Sequence, residues 1–368
     1  MQPANRRPKW LLASLIFSLV GAVVTVLLLW TARGRTTAQA PRDGAPREEQ
    51  VQFEVDGNIL KGVLVLPATP GPHPAIVFIN GSGNSDRTGN GVFPHLWRHF
   101  AGQGFACLSW DRPGVGQSTG DFEKQSFPDR AAEALAAVRF LRGRSDIRSD
   151  RVGLWGFSQG ATVAPLAASQ SSEVAFVIEV SGHQLPAWQQ DLYRVEAELQ
   201  ADGFSKADMA KAMEMAKMRM DLMRGAGLFE ELDETQKGFL GRPWFEYIHY
   251  CDRKRFESGR LMVEFDPGSA WEKVRCPVLA IHGDKDTSTS AEASVAVIRQ
   301  GLAKAGNADL AVKIFPRAGH GLTVSDTGGR KEAEQRAKSR SAADGPEFAP
   351  GYLDTMSGWL VERFGPKR

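Results

Sequence analysis

Residues Arg151-Val152-Gly153-Leu154-Trp155-Gly156-Phe157-Ser158-Gln159-Gly160 restrict the fold of this chain more tightly than any other stretch. A short apolar run stops at Gly156, presents Ser158, passes Gly160 and resumes as the apolar, helix-forming run 161–168. That order is a nucleophile elbow, a strand turning sharply into a helix with a serine at the apex. A serine hydroxyl is a weak nucleophile at neutral pH, so it must stand where a base can take its proton. Glycines at both flanking positions supply the room, because a Cβ at either would crowd the backbone of so tight a turn. Ser158 is expected in a sparsely populated φ/ψ region, and Gln159 opens a helix whose first amides point at the reacting oxygen. The bare G-x-S-x-G pattern arises by chance; the strand before it and the helix after it make it specific here.

In that context the stretch resembles the nucleophile motif of the α/β-hydrolase family, which sits at the top of a mostly parallel sheet. The resemblance extends over residues 51–368. It implies an α/β-hydrolase fold, in which a mostly parallel central sheet is flanked by helices. It also implies a serine, an acid and a histidine in that order along the chain, with two backbone amides as an oxyanion hole.

Composition removes several alternatives. A chain of 368 residues with 42% hydrophobic and 24% charged residues is ordinary for one large α/β enzyme domain with insertions. A net charge of +2, with no clustered basic run in the part expected to fold, gives no case for nucleic acid as a partner. Cys107, Cys251 and Cys276 are too few and too scattered for a disulfide framework or a zinc site. Cys107 and Cys276 lie in apolar runs and read as small buried hydrophobes. Neither glycine loop is a dinucleotide fingerprint, since the third glycine position is Asp86 after Gly81 and Gly83, and Thr119 after Gly114 and Gly116. No cofactor and no metal are expected.

Residues 10–30 carry no charge, are long enough to cross a bilayer as a helix, and have Trp10 and Trp30 at their ends. The expectation is an N-terminal transmembrane anchor in residues 1–32, uncleaved, with the enzyme on the extracytoplasmic side. Cleavage after Ala38-Gln39-Ala40 is the alternative and would give a secreted or periplasmic protein. Residues 33–50 lack any apolar period and read as a linker.

The hydrolase core is expected in two parts, 51–182 and 271–368. Runs 51–55 and 59–66 flank Asp56-Gly57-Asn58, a hairpin signal. The apolar run 75–79 delivers the loop Asn80-Gly81-Ser82-Gly83 to the carboxyl edge of a sheet. The run 105–110 ends in Asp111-Arg112-Pro113-Gly114-Val115-Gly116-Gln117-Ser118, similar to a structural turn of the family. Residues 129–142 place Ala131, Leu135, Val138 and Leu141 on one helical face. Further strands are expected at 174–180, 277–281 and 311–315, further helices at 291–305 and 352–364, and a polar loop at 325–347.

Residues 183–270 break the alternation of strand and helix and are expected to form a helical cap inserted before the penultimate strand. Met209, Met213, Ala216, Met220 and Met223 recur at three and four residues, with Met215, Met218 and Leu222 as a second row. Core packing explains such a helix; a deformable wall for an apolar substrate group, joined by Trp244, Phe245 and Tyr247, is the sharper reading.

Acyl transfer by Ser158 needs a base within hydrogen-bond reach and a carboxylate to orient that base. Of seven histidines only His320 follows the last strand between two glycines, on a loop free to reach the sheet edge. Asp284 and Asp286 are equally suited to the acid role by chemistry. The family's G-x-x-D motif implies Asp286, and the acid position after the preceding strand would instead implicate Glu179. The family also implies the backbone amides of Ser82 and Gln159 as oxyanion donors. Together these residues describe a serine hydrolase acting on a small-molecule acyl substrate, a carboxylesterase first, with a peptidase, a thioesterase or a non-catalytic ligand-binding member as alternatives. Its kcat/KM is expected to rise with pH through an apparent pKa of about 6–7.

Overall fold

The computed structural model describes residues 44–339 and 345–365. The expected anchor at residues 10–30 and most of the expected linker lie outside them. Among the described residues no helix is long and apolar enough to cross a membrane.

Eight strands form one sheet: β1 (Arg47–Val55), β2 (Asn58–Leu66), β3 (His73–Ile79), β4 (Ala106–Trp110), β5 (Ile147–Phe157), β6 (Val177–Val180), β7 (Val278–Gly283) and β8 (Leu310–Phe315). Their order is β1-β2-β4-β3-β5-β6-β7-β8. The first two pair antiparallel through Asp56 and Gly57, both at positive φ, as the expected tight hairpin requires. β2 meets β4 antiparallel, and every pairing from β4 through β8 is parallel. β3 and β4 are buried at every residue because helices cover both faces, which is why they read as unbroken apolar runs.

Successive residues feed two cores. Val77, Leu108 and Leu154 pack beneath α2 (Phe127–Arg142) and α3 (Gln159–Gln170). Phe78, Trp155 and Ile178 pack on the opposite face against α1 (Phe93–Gly102) and α12 (Tyr352–Phe364). A capping box starts α2, with Ser126 N–H donating to Asp129 Oδ2 at 2.7 Å and Asp129 N–H to Ser126 Oγ at 3.4 Å. Arg87 pairs with Asp111 at 2.6 Å, while Asp86 accepts from Thr88 N–H at 2.8 Å, so the two neighbours serve different turns.

Between β6 and β7 the chain is helical: α4 (Ala187–Ala201), α5 (Lys206–Asp221), a π-turn (Leu222–Ala226), α6 (Phe229–Lys237), α7 (Phe245–Ile248), α8 (Arg253–Arg260) and α9 (Gly268–Trp271). Trp271 of α9 packs into the core beneath α2 and α3, while the helices from α4 through α8 share a core containing Leu199, Met215, Ala216, Met220, Leu232 and Phe256. Trp244, Phe245 and Tyr247 belong to that core and do not join the cleft wall, because the aromatic contacts of Phe239 and Phe204 turn them inward. After β7 comes α10 (Ala291–Ala305).

Two boundaries differ from the sequence expectation. β1 starts at Arg47, within the expected linker, since an edge strand bonded on one side needs no apolar alternation. Residues 325–347, expected as a loop, include α11 (Arg330–Ser339), which buries no residue and so shows no apolar period.

Candidate active site

β5 delivers Ser158 to the carboxyl edge of the sheet with φ 53° and ψ −121°, a conformation few non-glycine residues adopt. Its N–H donates to the Val180 carbonyl at 2.9 Å, which fixes the apex against the neighbouring strand. A Cβ on Gly156 would lie 2.8 Å from the Ala161 Cα, and one on Gly160 would lie 2.6 Å from the Asn80 carbonyl oxygen, with the Ile79 carbonyl closer still. Backbone sits on both sides, so neither clash relaxes by a rotamer change. Gly160→Ala is therefore expected to lose about 3 kcal/mol or more of stability. Denaturant unfolding measures it, and a loss under about 0.5 kcal/mol, the range of ordinary surface substitutions, contradicts this reading of the turn.

The loop after β8 carries His320 to Ser158. Its Nε2 lies 2.9 Å from Ser158 Oγ, and its Nδ1 lies 2.9 Å from Asp286 Oδ2. Asp286 follows β7 and its side chain is fully buried. It also accepts from Thr289 Oγ1 at 2.6 Å, Ser288 N–H at 2.8 Å and Thr289 N–H at 2.9 Å. Burial works to raise its pKa, but the charge and hydrogen bond of the His320 imidazole, and after them the two Thr289 bonds, outweigh it and hold the carboxyl below its ordinary range. For His320, burial pulls the pKa down, but the charge and hydrogen bond of Asp286 prevail and raise it above the ordinary histidine value.

The competing acids stand elsewhere. Asp284 is exposed, and its N–H donates to the Phe315 carbonyl at 3.0 Å as part of the turn. Glu179 is completely buried and faces His282 across 3.1 Å. Its other oxygen accepts from Gly182 N–H at 2.7 Å and Gln184 Nε2 at 3.2 Å. Burial works against the His282 imidazolium, but Glu179 outweighs it and raises the His282 pKa.

Gly81 and Ser82 lie beside the elbow, where a Cβ on Gly81 would come within 3.5 Å of Ser158 Cβ. Among the described residues, neither the Ser82 N–H nor the Gln159 N–H donates to another group of the chain. The latter is the first amide of α3 and has no intrahelical acceptor.

Two cavities flank this point. One of about 330 Å³ opens on Ser158, Ser82 and His320 and is walled by Phe93, Leu96, Trp155, Phe157, Phe348 and Tyr352. The other, about 550 Å³, lies under the cap and is lined in part by Gln159, Met220, Met223, Met262, Arg219 and His249. Of the two methionine rows, then, Met220 and Met223 reach the cleft. Burial together with the arginines around it lowers the His249 pKa to about 4, and burial does the same to His183, so both imidazoles are neutral at pH 7. Asp191, in the same cavity, is held at about 2 because Arg219 and Arg194 overcome the cost of its burial. Among the described residues no cluster of three or more His, Cys, Asp or Glu could hold a metal ion.

The sequence is similar to esterase EstD of Thermotoga maritima, 23% identical over 322 residues that cover 85% of this chain and 68% of that protein. The fold matches an esterase of Pyrococcus furiosus with a TM-score of 0.55 at 13% identity, covering 90% of this chain and 96% of that one. It also matches the α/β hydrolase GrgF of Penicillium with a TM-score of 0.54 at 16% identity, covering 86% and 99%. These likenesses show the α/β-hydrolase fold. The family model for X-Pro dipeptidyl-peptidases matches residues 56–306, well over half of the sequence, and the chain belongs to that S15 family.

Proposed function

We propose that this protein is a serine carboxylesterase that works through an acyl-enzyme intermediate. The observation that carries the reading is the single imidazole within 2.9 Å of both Ser158 Oγ and Asp286 Oδ2. His320 takes the proton as Ser158 attacks the carbonyl carbon, and Asp286 keeps Nδ1 protonated so that Nε2 is free to accept. The N–H groups of Ser82 and Gln159 receive the oxygen as it gains charge. The imidazolium then gives its proton to the leaving alcohol, and water attacks the acyl-enzyme by the same route reversed.

The aromatic cavity of about 330 Å³ supports a small or medium apolar group next to the scissile bond. Esterase EstD as a relative supports ester over amide. The family model supports a second reading, a peptidase acting after proline. p-Nitrophenyl esters, X-Pro anilides and acyl thioesters assayed side by side decide between them. Ester turnover at least tenfold above the others is expected; preferential cleavage of the X-Pro anilide overturns the carboxylesterase reading.

Because His320 must be neutral to act as base, kcat/KM falls as pH drops through its pKa. The Asp286 carboxylate raises that value, so the acid limb is expected above the ordinary histidine value of about 6.5. A pH–rate profile that stays flat down to pH 5 contradicts the assignment.

The uncharged run at residues 10–30 supports a membrane tether, and the orientation we propose for it leaves the hydrolase on the extracytoplasmic side. A reporter fused after residue 368 that is active only in the cytoplasm overturns that orientation.

A further inference from the structure

Two buried arginines stand behind the loop that carries Ser82. Arg130, in the first turn of α2, is 3% exposed and Arg112, just after β4, is 5% exposed. The Arg130 guanidinium donates to the Asn80 carbonyl, to the Gly81 carbonyl at 3.2 Å, and to the side-chain oxygen of Gln159. Arg112 donates to the Gly83 carbonyl at 2.6 Å and to Gln125 Oε1 at 3.2 Å. Glu133, 4% exposed, supplies negative charge to this group and accepts from Trp110 Nε1 at 3.3 Å and from Gln125 Nε2.

The direction of these bonds matters. In a trans peptide the C=O and N–H of one unit point opposite ways. A Gly81 carbonyl turned onto Arg130 therefore turns the Ser82 N–H away from that guanidinium, and a Cβ placed on the neighbouring Gly81 would stand within 3.5 Å of Ser158 Cβ. A charge-assisted bond to that carbonyl also polarises the peptide and strengthens its N–H as a donor. The same guanidinium grips the side chain of Gln159, whose own backbone N–H is the unpaired first amide of α3. One cation is thus bonded to both residues that carry the candidate oxyanion donors.

We propose that Arg130 is a positioning residue for the oxyanion hole, bonded to the Gly81 carbonyl and the Gln159 side chain so that the Ser82 and Gln159 amides stay aimed at the reacting oxygen. The inference rests on the serine-hydrolase reading above. It gives a buried charge within a helix a task that core packing does not require, since an apolar side chain would fill the same space without desolvating a guanidinium.

The test uses the full chain with Arg130→Met, Arg130→Lys and Gln159→Leu, each titrated for active sites with a fluorophosphonate so that misfolded protein is not counted. Per active site, Arg130→Met is expected to lower kcat for a p-nitrophenyl ester by about 10²-fold with KM changed less than about threefold. Affinity for a trifluoromethyl ketone, whose hemiketal places an oxyanion in the hole, is expected to fall by a similar factor. Arg130→Lys should recover part of both losses. If the Arg130 variants do not fold, Gln159→Leu, at a half-buried position, cuts one arm of the clamp and is expected to lower kcat and ketone affinity together by about tenfold. A kcat per active site within threefold of wild type, or a rise in KM with kcat and ketone affinity unchanged, overturns the inference. Wild-type protein that neither turns over the ester nor takes up the fluorophosphonate overturns the serine-hydrolase reading itself, and this inference with it.

Discussion

Replacing Ser158 with alanine is expected to lower kcat/KM by about 10⁵–10⁶-fold while leaving the fold intact. The hydroxyl is the attacking atom in the proposed mechanism, and no other hydroxyl is described within reach of His320 Nε2. Alanine keeps the N–H that donates to Val180 and occupies the same strained backbone, so the stability change should stay under about 1 kcal/mol. What activity survives comes from binding and the oxyanion donors acting on water. Steady-state turnover beside a thermal melt measures both halves; a variant that keeps a tenth of wild-type turnover contradicts the nucleophile assignment.

Replacing Asp286 with asparagine is expected to cost about 10³–10⁴-fold in kcat/KM. The amide retains most of the volume but presents an N–H where Oδ2 accepted from His320 Nδ1, which favours the tautomer with the proton on the wrong nitrogen. The loss carries a second signature in the pH profile. With the carboxylate gone, burial is left as the main influence on the imidazole, and burial lowers its pKa, so the acid limb moves to lower pH even as its height collapses. Glu179→Gln makes the contrast, because Glu179 is ion-paired with His282 and accepts from Gly182 and Gln184, and touches neither Ser158 nor His320 in these bonds. Its turnover should stay within about tenfold of wild type, while stability falls by about 3 kcal/mol as His282 loses its buried partner. Near-normal turnover in Asp286→Asn with loss in Glu179→Gln contradicts the assignment of the acid.

The elbow and the central strands could be read from residues alone because their constraints are local. Gly156 and Gly160 answer to backbone crowding at one turn, and β3 and β4 are apolar at nearly every position because both faces are covered. His320 was legible from its glycine neighbours and its place after the last strand. Asp284 and Asp286 were not separable by chemistry, because their difference lies in the path of the turn: the Ser288 and Thr289 amides draw Asp286 inward, and Asp284 is left exposed.

Elements without an apolar period were hidden for the opposite reason. The first residues of β1 and all of α11 bury too little to leave a pattern. Arg130 escaped in a different way. It precedes Ala131 and lies one turn before Ala134, on the buried face of α2, but a search for apolar spacing passes over a buried cation. A charged residue on the apolar row of a helix, with Glu133 three residues on, was the signal available.

The most direct measurement is mass spectrometry of the folded wild-type chain after reaction with a fluorophosphonate. A single phosphonyl adduct on Ser158, lost when the protein is unfolded first, is the expected result. Folded protein that hydrolyses esters yet leaves Ser158 unmodified, or carries its adduct on another residue, would contradict the proposal that these three side chains form one catalytic unit.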